Sequence, residues 1–416
     1  MSILNDIVMI AIKRIVAFIF AVVVASCIDP YIPEIKNYKS LLIVEGLITN
    51  ENTSNIIKLS RTYSDLNSFP ERVSDAIVFI TDGNGIQSNL RNCKNGDYKT
   101  DSTLFTGVIG QKYTLHITAS DGKEYTSDEC TMLPVAAIDN IYYEKEEEIS
   151  GVMGESSTGL KILLKVTDAA DMDQYYRWTF EEVWKTILPG AQRYEYVYVN
   201  DTTLSFISLP DVNEICWKRS LSGDIITNST LSGANHINQE IQFIDPLKSD
   251  RLTQEYSILV RQYSISNREH DFWANLKNVG ESGGDIFASQ PYSVTSNIRG
   301  SSEKVLGYFE VSAVSQKRLF ISATELNRLH LPQNKPCELI YKSPDEYNPK
   351  PTWTGLYHMF VDNSYIFVRP ELKLGAILEG NVDTSKVMKL VFSTKVCSVC
   401  AYSGFSEKPD FWIDLK

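Results

Sequence analysis

Period-two alternation runs through this chain and limits much of it to strands. Leu160, Ile162, Leu164 and Val166 alternate with Lys161, Leu163, Lys165 and Thr167. Tyr113, Leu115 and Ile117 alternate with Thr114, His116 and Thr118, and Tyr194, Tyr196 and Tyr198 with Glu195, Val197 and Val199. Successive strand residues point to opposite faces of a sheet, so each stretch offers one face to a core and one to water.

Punctuation between the stretches sets their grouping. Apolar runs at 41–48, 55–60 and 76–81 are followed by Asp82-Gly83-Asn84-Gly85, a hairpin signal because Gly and Asn tolerate positive φ. Asp121-Gly122 turns the alternating 113–118 stretch into Glu124–Met132. Short strands at regular spacing predict an immunoglobulin-like β-sandwich over residues 40–135, closed by Leu133-Pro134-Val135.

Residues 136–416 then read as a larger β-rich domain. Its strands are expected at 138–143, 160–167, 175–181, 193–200, 257–264, 305–314, 318–322 and 338–341. The charged run Glu144-Lys145-Glu146-Glu147-Glu148, followed by Gly151 and Gly154, reads as a solvated loop. One helix is expected to start near Ser266-Asn267. Asn267 would cap it, Glu269 would place negative charge in its first turn, and Phe272, Trp273, Leu276 and Val279 would form its apolar face. Gly280 and Gly283-Gly284 would end it. The fold class is mainly β, with one or few short helices.

The N-terminus carries an address. Lys13-Arg14 precede an apolar stretch from Ile15 to Val24, then Ala25-Ser26 and Cys27. A positive start, roughly ten apolar residues and a small-residue exit describe a secretory signal over residues 1–26, too short for an ordinary spanning helix. Val24-Ala25-Ser26-Cys27 resembles the bacterial lipobox, in which the Cys is acylated and heads the mature chain. Several acyl chains on Cys27 would give a stable anchor. Residues 27–39, with Pro30 and Pro33, read as an extended tether whose Asp29 and Glu34 resemble a surface-export signal.

Seven cysteines support export: 27, 93, 130, 216, 337, 397 and 400. Without Cys27 an even six remain, as expected for disulfides in an oxidising compartment. Cys93 and Cys130 lie in the N-terminal third and Cys216, Cys337, Cys397 and Cys400 beyond it, so pairing within each part is the simplest expectation. Cys397-Ser-Val-Cys400 invites a zinc or redox reading, but no second ligand pair of similar spacing accompanies it.

With 40 Lys+Arg against 52 Asp+Glu and no basic cluster, the chain is poorly suited to nucleic acid. No nucleophile elbow, zinc-protease helix or phosphate-binding glycine loop occurs, so a non-enzymatic role without a cofactor is expected. Asp168, Asp171 and Asp173 lack the spacing of a Ca²⁺ loop and read as a solvated turn, and His116 as an exposed histidine.

Further segments carry a resemblance. Cys27-Ile-Asp-Pro-Tyr31, Leu42-Ile-Val-Glu-Gly46, Ala76-Ile-Val-Phe79 and Gly110-Gln-Lys-Tyr-Thr-Leu115 stand in order along the first part. Tyr175-Tyr176-Arg177, Cys216-Trp217, Tyr256-Ser257, Gln262-Tyr263-Ser264, Phe272-Trp273, Gln290-Pro291, Asn297-Ile298, Val305-Leu-Gly-Tyr-Phe309 and Pro409-Asp-Phe-Trp412 follow. Together they resemble the DUF4249 family of Bacteroidetes outer-membrane lipoproteins. That resemblance implies a surface lipoprotein found with SusC-like TonB-dependent transporters, capturing a peptide or glycan and handing it on. The other readings are a surface glycan or peptide hydrolase, and an adhesin or assembly factor.

Overall fold

The computed structural model describes residues 40–63, 69–149, 156–167, 174–200, 202–210, 212–230, 236–282, 294–300, 303–334, 337–361, 364–376 and 380–413. The expected leader and tether, Cys27, the Asp168/Asp171/Asp173 cluster, Gly151, Gly154, Gly283-Gly284 and Gln290-Pro291 lie outside the described residues.

The fold is mainly β, and its first unit is a two-sheet sandwich. One sheet runs in the order Val305–Ser312, Leu42–Thr49, Ile56–Arg61, Asp97–Lys99, Arg91–Asn92. The other runs Ile298–Gly300, Glu124–Ser127, Lys112–Thr118, Ile77–Asp82, Gln87–Asn89. Alternate residues of both meet in one core: Leu42, Val44, Ile57 and Leu59 from the first sheet, Val78, Ile80, Leu115 and Ile117 from the second.

Val305–Ser312 is a return to this sandwich from far along the chain. It lies parallel to Leu42–Thr49, with Val305 opposite Leu42 and Ser312 opposite Thr49. A parallel pair needs a long connection, and here much of the rest of the chain serves as that connection. Gly307 permits the close approach: its φ is +87°, and a Cβ there would stand 1.9 Å from the Val44 carbonyl oxygen.

A second core lies between a three-stranded and a larger sheet. The three-stranded sheet orders Ile138–Ile149, Ser156–Thr167, His236–Ile244; the larger orders Ile215–Leu221, Tyr175–Ile187, Tyr256–Ile265, Val314–Ile321. Leu160, Ile162, Leu164 and Val166 meet Tyr176, Trp178, Phe180 and Ile258. The Tyr175–Ile187 strand is covered on both faces for most of its length, which is why its sequence does not alternate. The charged run expected as a loop is instead strand: Ile138–Ile149 pairs antiparallel with Ser156–Thr167, and Lys161 bridges Glu146 at 2.5 Å. Cross-strand Lys–Glu pairing lets an acidic stretch stay extended.

A third core gathers Leu204, Phe206, Leu356, Phe367, Leu390 and Phe392. It is built from the Thr203–Ser208, Tyr365–Leu372 and Val387–Thr394 strands and the Trp353–Val361 helix. At the chain's end Trp412 packs on Trp217, with ring centroids 4.4 Å apart, and donates from Nε1 to Glu255 Oε2 at 3.0 Å.

Two disulfides, Cys216–Cys400 and Cys337–Cys397, tie this region. The two halves of the C-x-x-C thus go to different partners, and both sulfurs are committed to structure. The expected Cys93–Cys130 pairing does not form; both are free thiols. Cys93 follows a strand of the first sheet, while Cys130 belongs to the second, where its sulfur sits 3.3 Å from Asn297 Nδ2 and 3.6 Å from the Phe309 carbonyl oxygen.

Candidate functional site

The Tyr256–Ile265 strand runs through Ser266 into the Asn267–Ser282 helix. Ser266, not Asn267, caps it: Ser266 Oγ accepts from the Glu269 backbone N–H at 3.2 Å. Asn267 turns aside and donates from Nδ2 to the Tyr175 hydroxyl at 2.5 Å. The expected apolar face is seated only at Phe272, whose ring lies 4.7 Å from that of Tyr308. Trp273, Leu276 and Val279 stay half-buried.

That incomplete seating leaves a groove of about 620 Å³ between helix and sandwich. Phe272, Trp273 and Leu276 form one wall; Ile43, Leu47, Ile56, Leu306 and Tyr308 form the other. The volume falls in the range of ordinary ligand sites, and the lining is largely apolar.

Beside this groove lies a buried charged cluster. Arg177, from the second core's central strand, donates Nε and Nη2 to Glu310 Oε2 at 3.1 and 2.7 Å. Its guanidinium lies over both Tyr263 and Trp273, 4.7 Å from each ring centroid. Glu269 approaches Glu310 from the helix and hydrogen-bonds to it. Burial, then the Glu310 charge, hold the Glu269 carboxyl well above the usual carboxylate range. The cluster therefore sets one guanidinium against two buried carboxyl groups. Glu269 Oε1 and the Trp273 indole N–H have no hydrogen-bond partner among the described residues.

Nearby groups share the dry setting. Burial pushes the Cys130 thiol up to about 12 and raises the Tyr308 phenol. Chemically the arrangement is a joint: one salt bridge and one shared proton tie the helix, the sandwich and the central sheet. The segments Leu42–Gly46, Tyr175–Arg177, Gln262–Ser264, Phe272–Trp273, Asn297–Ile298 and Val305–Phe309, distant in sequence, come together around it.

His116 lies elsewhere, and it is not an exposed histidine. It stacks on Phe79 at 4.6 Å with Nε2 3.0 Å from Thr81 Oγ1, and burial lowers its pKa. Sequence reasoning did not single out Arg177 or Glu310. Their signal was a lone Arg among aromatics and a lone Glu in an apolar strand, each of which needs a partner when buried.

A family model described as a domain of unknown function, DUF4249, matches residues 28–318. No curated protein matches the chain. Among solved structures, trypsin-activated alpha-2-macroglobulin from Escherichia coli is 11% identical at a TM-score of 0.17, over 57% of this chain and 15% of that one. The BSP domain of a biofilm-associated protein is 8% identical at a TM-score of 0.12, over 71% of this chain and 63% of that one.

Proposed function

Because the chain belongs to the DUF4249 family, we propose that it is a lipid-anchored accessory of the outer membrane that captures a ligand for a SusC-like TonB-dependent transporter. Acylation of Cys27 within Val24-Ala25-Ser26-Cys27 is the anchor in this reading, with the β-rich body held at the cell exterior. The transporter partnership rests on the family resemblance. The role is binding, not turnover, and the ligand is a peptide or glycan.

The observation that carries the capture role is the apolar groove between helix and sandwich, beside the Arg177–Glu310–Glu269 joint. A cleft at a junction between modules suits a protein that takes hold of a ligand and passes it on. Glu269 and Glu310 are each less than a tenth exposed, so their acid chemistry serves the joint.

A tagged pull-down from mildly solubilised outer membranes, with mass spectrometry of the co-purifying proteins, tests the reading. A stoichiometric β-barrel transporter is expected. Recovery of the lipoprotein alone under every growth condition sinks the partnership. Turnover of a glycan or peptide by purified protein, abolished by one carboxylate substitution, would replace it with the hydrolase reading.

A further inference from the structure

A second cleft, of about 630 Å³, opens where the central sheet meets the disulfide-tied C-terminal region. One wall is apolar and exposed: Ile187, Pro189 and Val396. The other is charged: Lys218, Lys248 and Arg251 line it, paired in turn with Asp250, Asp245 and Glu182.

Arg251 is held as a recognition group would be. Its guanidinium lies over the Trp184 ring at 4.9 Å. Nε donates to Glu182 Oε2 at 3.1 Å and Nη1 to Ser249 Oγ at 3.0 Å. Glu182 is itself buried and also accepts from the Tyr256 hydroxyl at 2.7 Å. Nη2 has no partner among the described residues, and the side chain keeps 24% of its exposure. The Nη1–Nη2 edge is thus fixed in place with donors unused. Asp250 does not compete for it, because Lys218 Nζ at 2.6 Å and Trp184 Nε1 at 3.1 Å already occupy its oxygens.

The opposite wall is also fixed. Gly190 donates to the Cys397 carbonyl at 3.2 Å, Cys397 is bonded to Cys337, and a Cβ on Gly190 would come within 2.6 Å of Ser393. The cleft is therefore preorganised on both sides, which lowers the ordering cost of binding.

We infer that this cleft binds the C-terminal carboxylate of a peptide whose last side chain is aliphatic. The carboxylate takes the paired donors of Arg251, a geometry that guanidinium matches and ammonium does not. The aliphatic side chain lies on Ile187, Pro189 and Val396. An acidic sugar fits less well, since the Trp184 face that would stack on a sugar ring is covered by Arg251.

The site is separate from the groove, so its failure leaves the capture role standing and the reverse also holds. The test is calorimetric titration of the detergent-purified full chain with three probes: Gly-Gly-Leu as free acid, the same peptide as C-terminal amide, and digalacturonic acid. The acid is expected to bind, and the amide roughly tenfold more weakly or worse. Arg251→Lys keeps a cation beside Glu182 and is expected to weaken the acid by a similar factor and the amide by less. Val396→Asp, on an exposed position, is expected to weaken the acid without moving thermal unfolding. Equal affinity for acid and amide, or no binding of either peptide, overturns the proposal. Binding of digalacturonic acid in place of the peptide would give the cleft to acidic sugars and overturn it too.

Discussion

Arg177 and Glu310 meet across two modules: the guanidinium Nε and Nη2 both end on one carboxylate oxygen, and both side chains are buried. A buried pair is costly to break, because the survivor is left charged and dry. Arg177→Met is expected to lower stability by about 3–5 kcal/mol. Glu310→Gln should cost less, since Glu269 then ionises beside Arg177 and replaces the lost charge. The double change Glu269→Gln/Glu310→Gln removes that substitute and should cost more than the sum of the singles. Urea unfolding followed by tryptophan fluorescence measures all four; additive losses would show that the two acids act independently.

Glu269 also sets a pH dependence. Its folded pKa lies well above the unfolded value, so between the two the folded chain binds more protons. This contribution is fully present below the unfolded carboxylate pKa and is lost as pH rises through the raised value. The thermal midpoint of the native chain should therefore fall relative to Glu269→Gln as pH moves from mildly acidic to mildly alkaline. Parallel curves for the two proteins would place the proton elsewhere.

Trp273 is half-buried and carries the Arg177 guanidinium on its face. Trp273→Ala is expected to cost roughly 2–3 kcal/mol, from partial apolar burial and the cation–π contact together. Trp273→Phe keeps a ring and removes an N–H that has no partner among the described residues, so it should cost under about 1 kcal/mol. Chemical denaturation of the two variants checks the order; equal losses would mean that the ring makes no contribution.

Thiol chemistry distinguishes the cysteines. Without reductant, the folded chain should react rapidly at half-buried Cys93 and slowly at Cys130, whose thiol is pushed up to about 12 by burial. Denaturant should expose Cys130 but release nothing from Cys216, Cys337, Cys397 or Cys400. Alkylation read by peptide mass spectrometry measures this; labelling at any of the last four would refute the pairing.

Cys27→Ala tests the anchor. Blocking acylation should leave the protein unprocessed or in the soluble fraction, and unchanged membrane fractionation would refute the lipobox reading.

Local pattern made the sandwich strands legible. Tyr113, Leu115 and Ile117 point inward as their alternation requires. The helix start was legible to within a residue, but its cap was not, because Ser266 and Asn267 are equally suitable and Tyr175 decides between them. The pairing of Val305–Ser312 with Leu42–Thr49 leaves no mark in either segment; only Gly307 hints at a close approach. The joint was hidden for the same reason: Arg177, Glu269 and Glu310 are meaningful only once three distant segments are brought together. The Glu144–Glu148 run misled because its Lys partner, Lys161, lies on the neighbouring strand.

The two disulfides leaving the C-x-x-C make a closed covalent graph. The Cys337–Cys397 loop is nested inside the Cys216–Cys400 loop. Cutting the backbone at any single point between Cys216 and Cys400 therefore leaves both pieces joined through sulfur. A protease that nicks a loop anywhere in that span would release no fragment, and only a reductant would let the halves part.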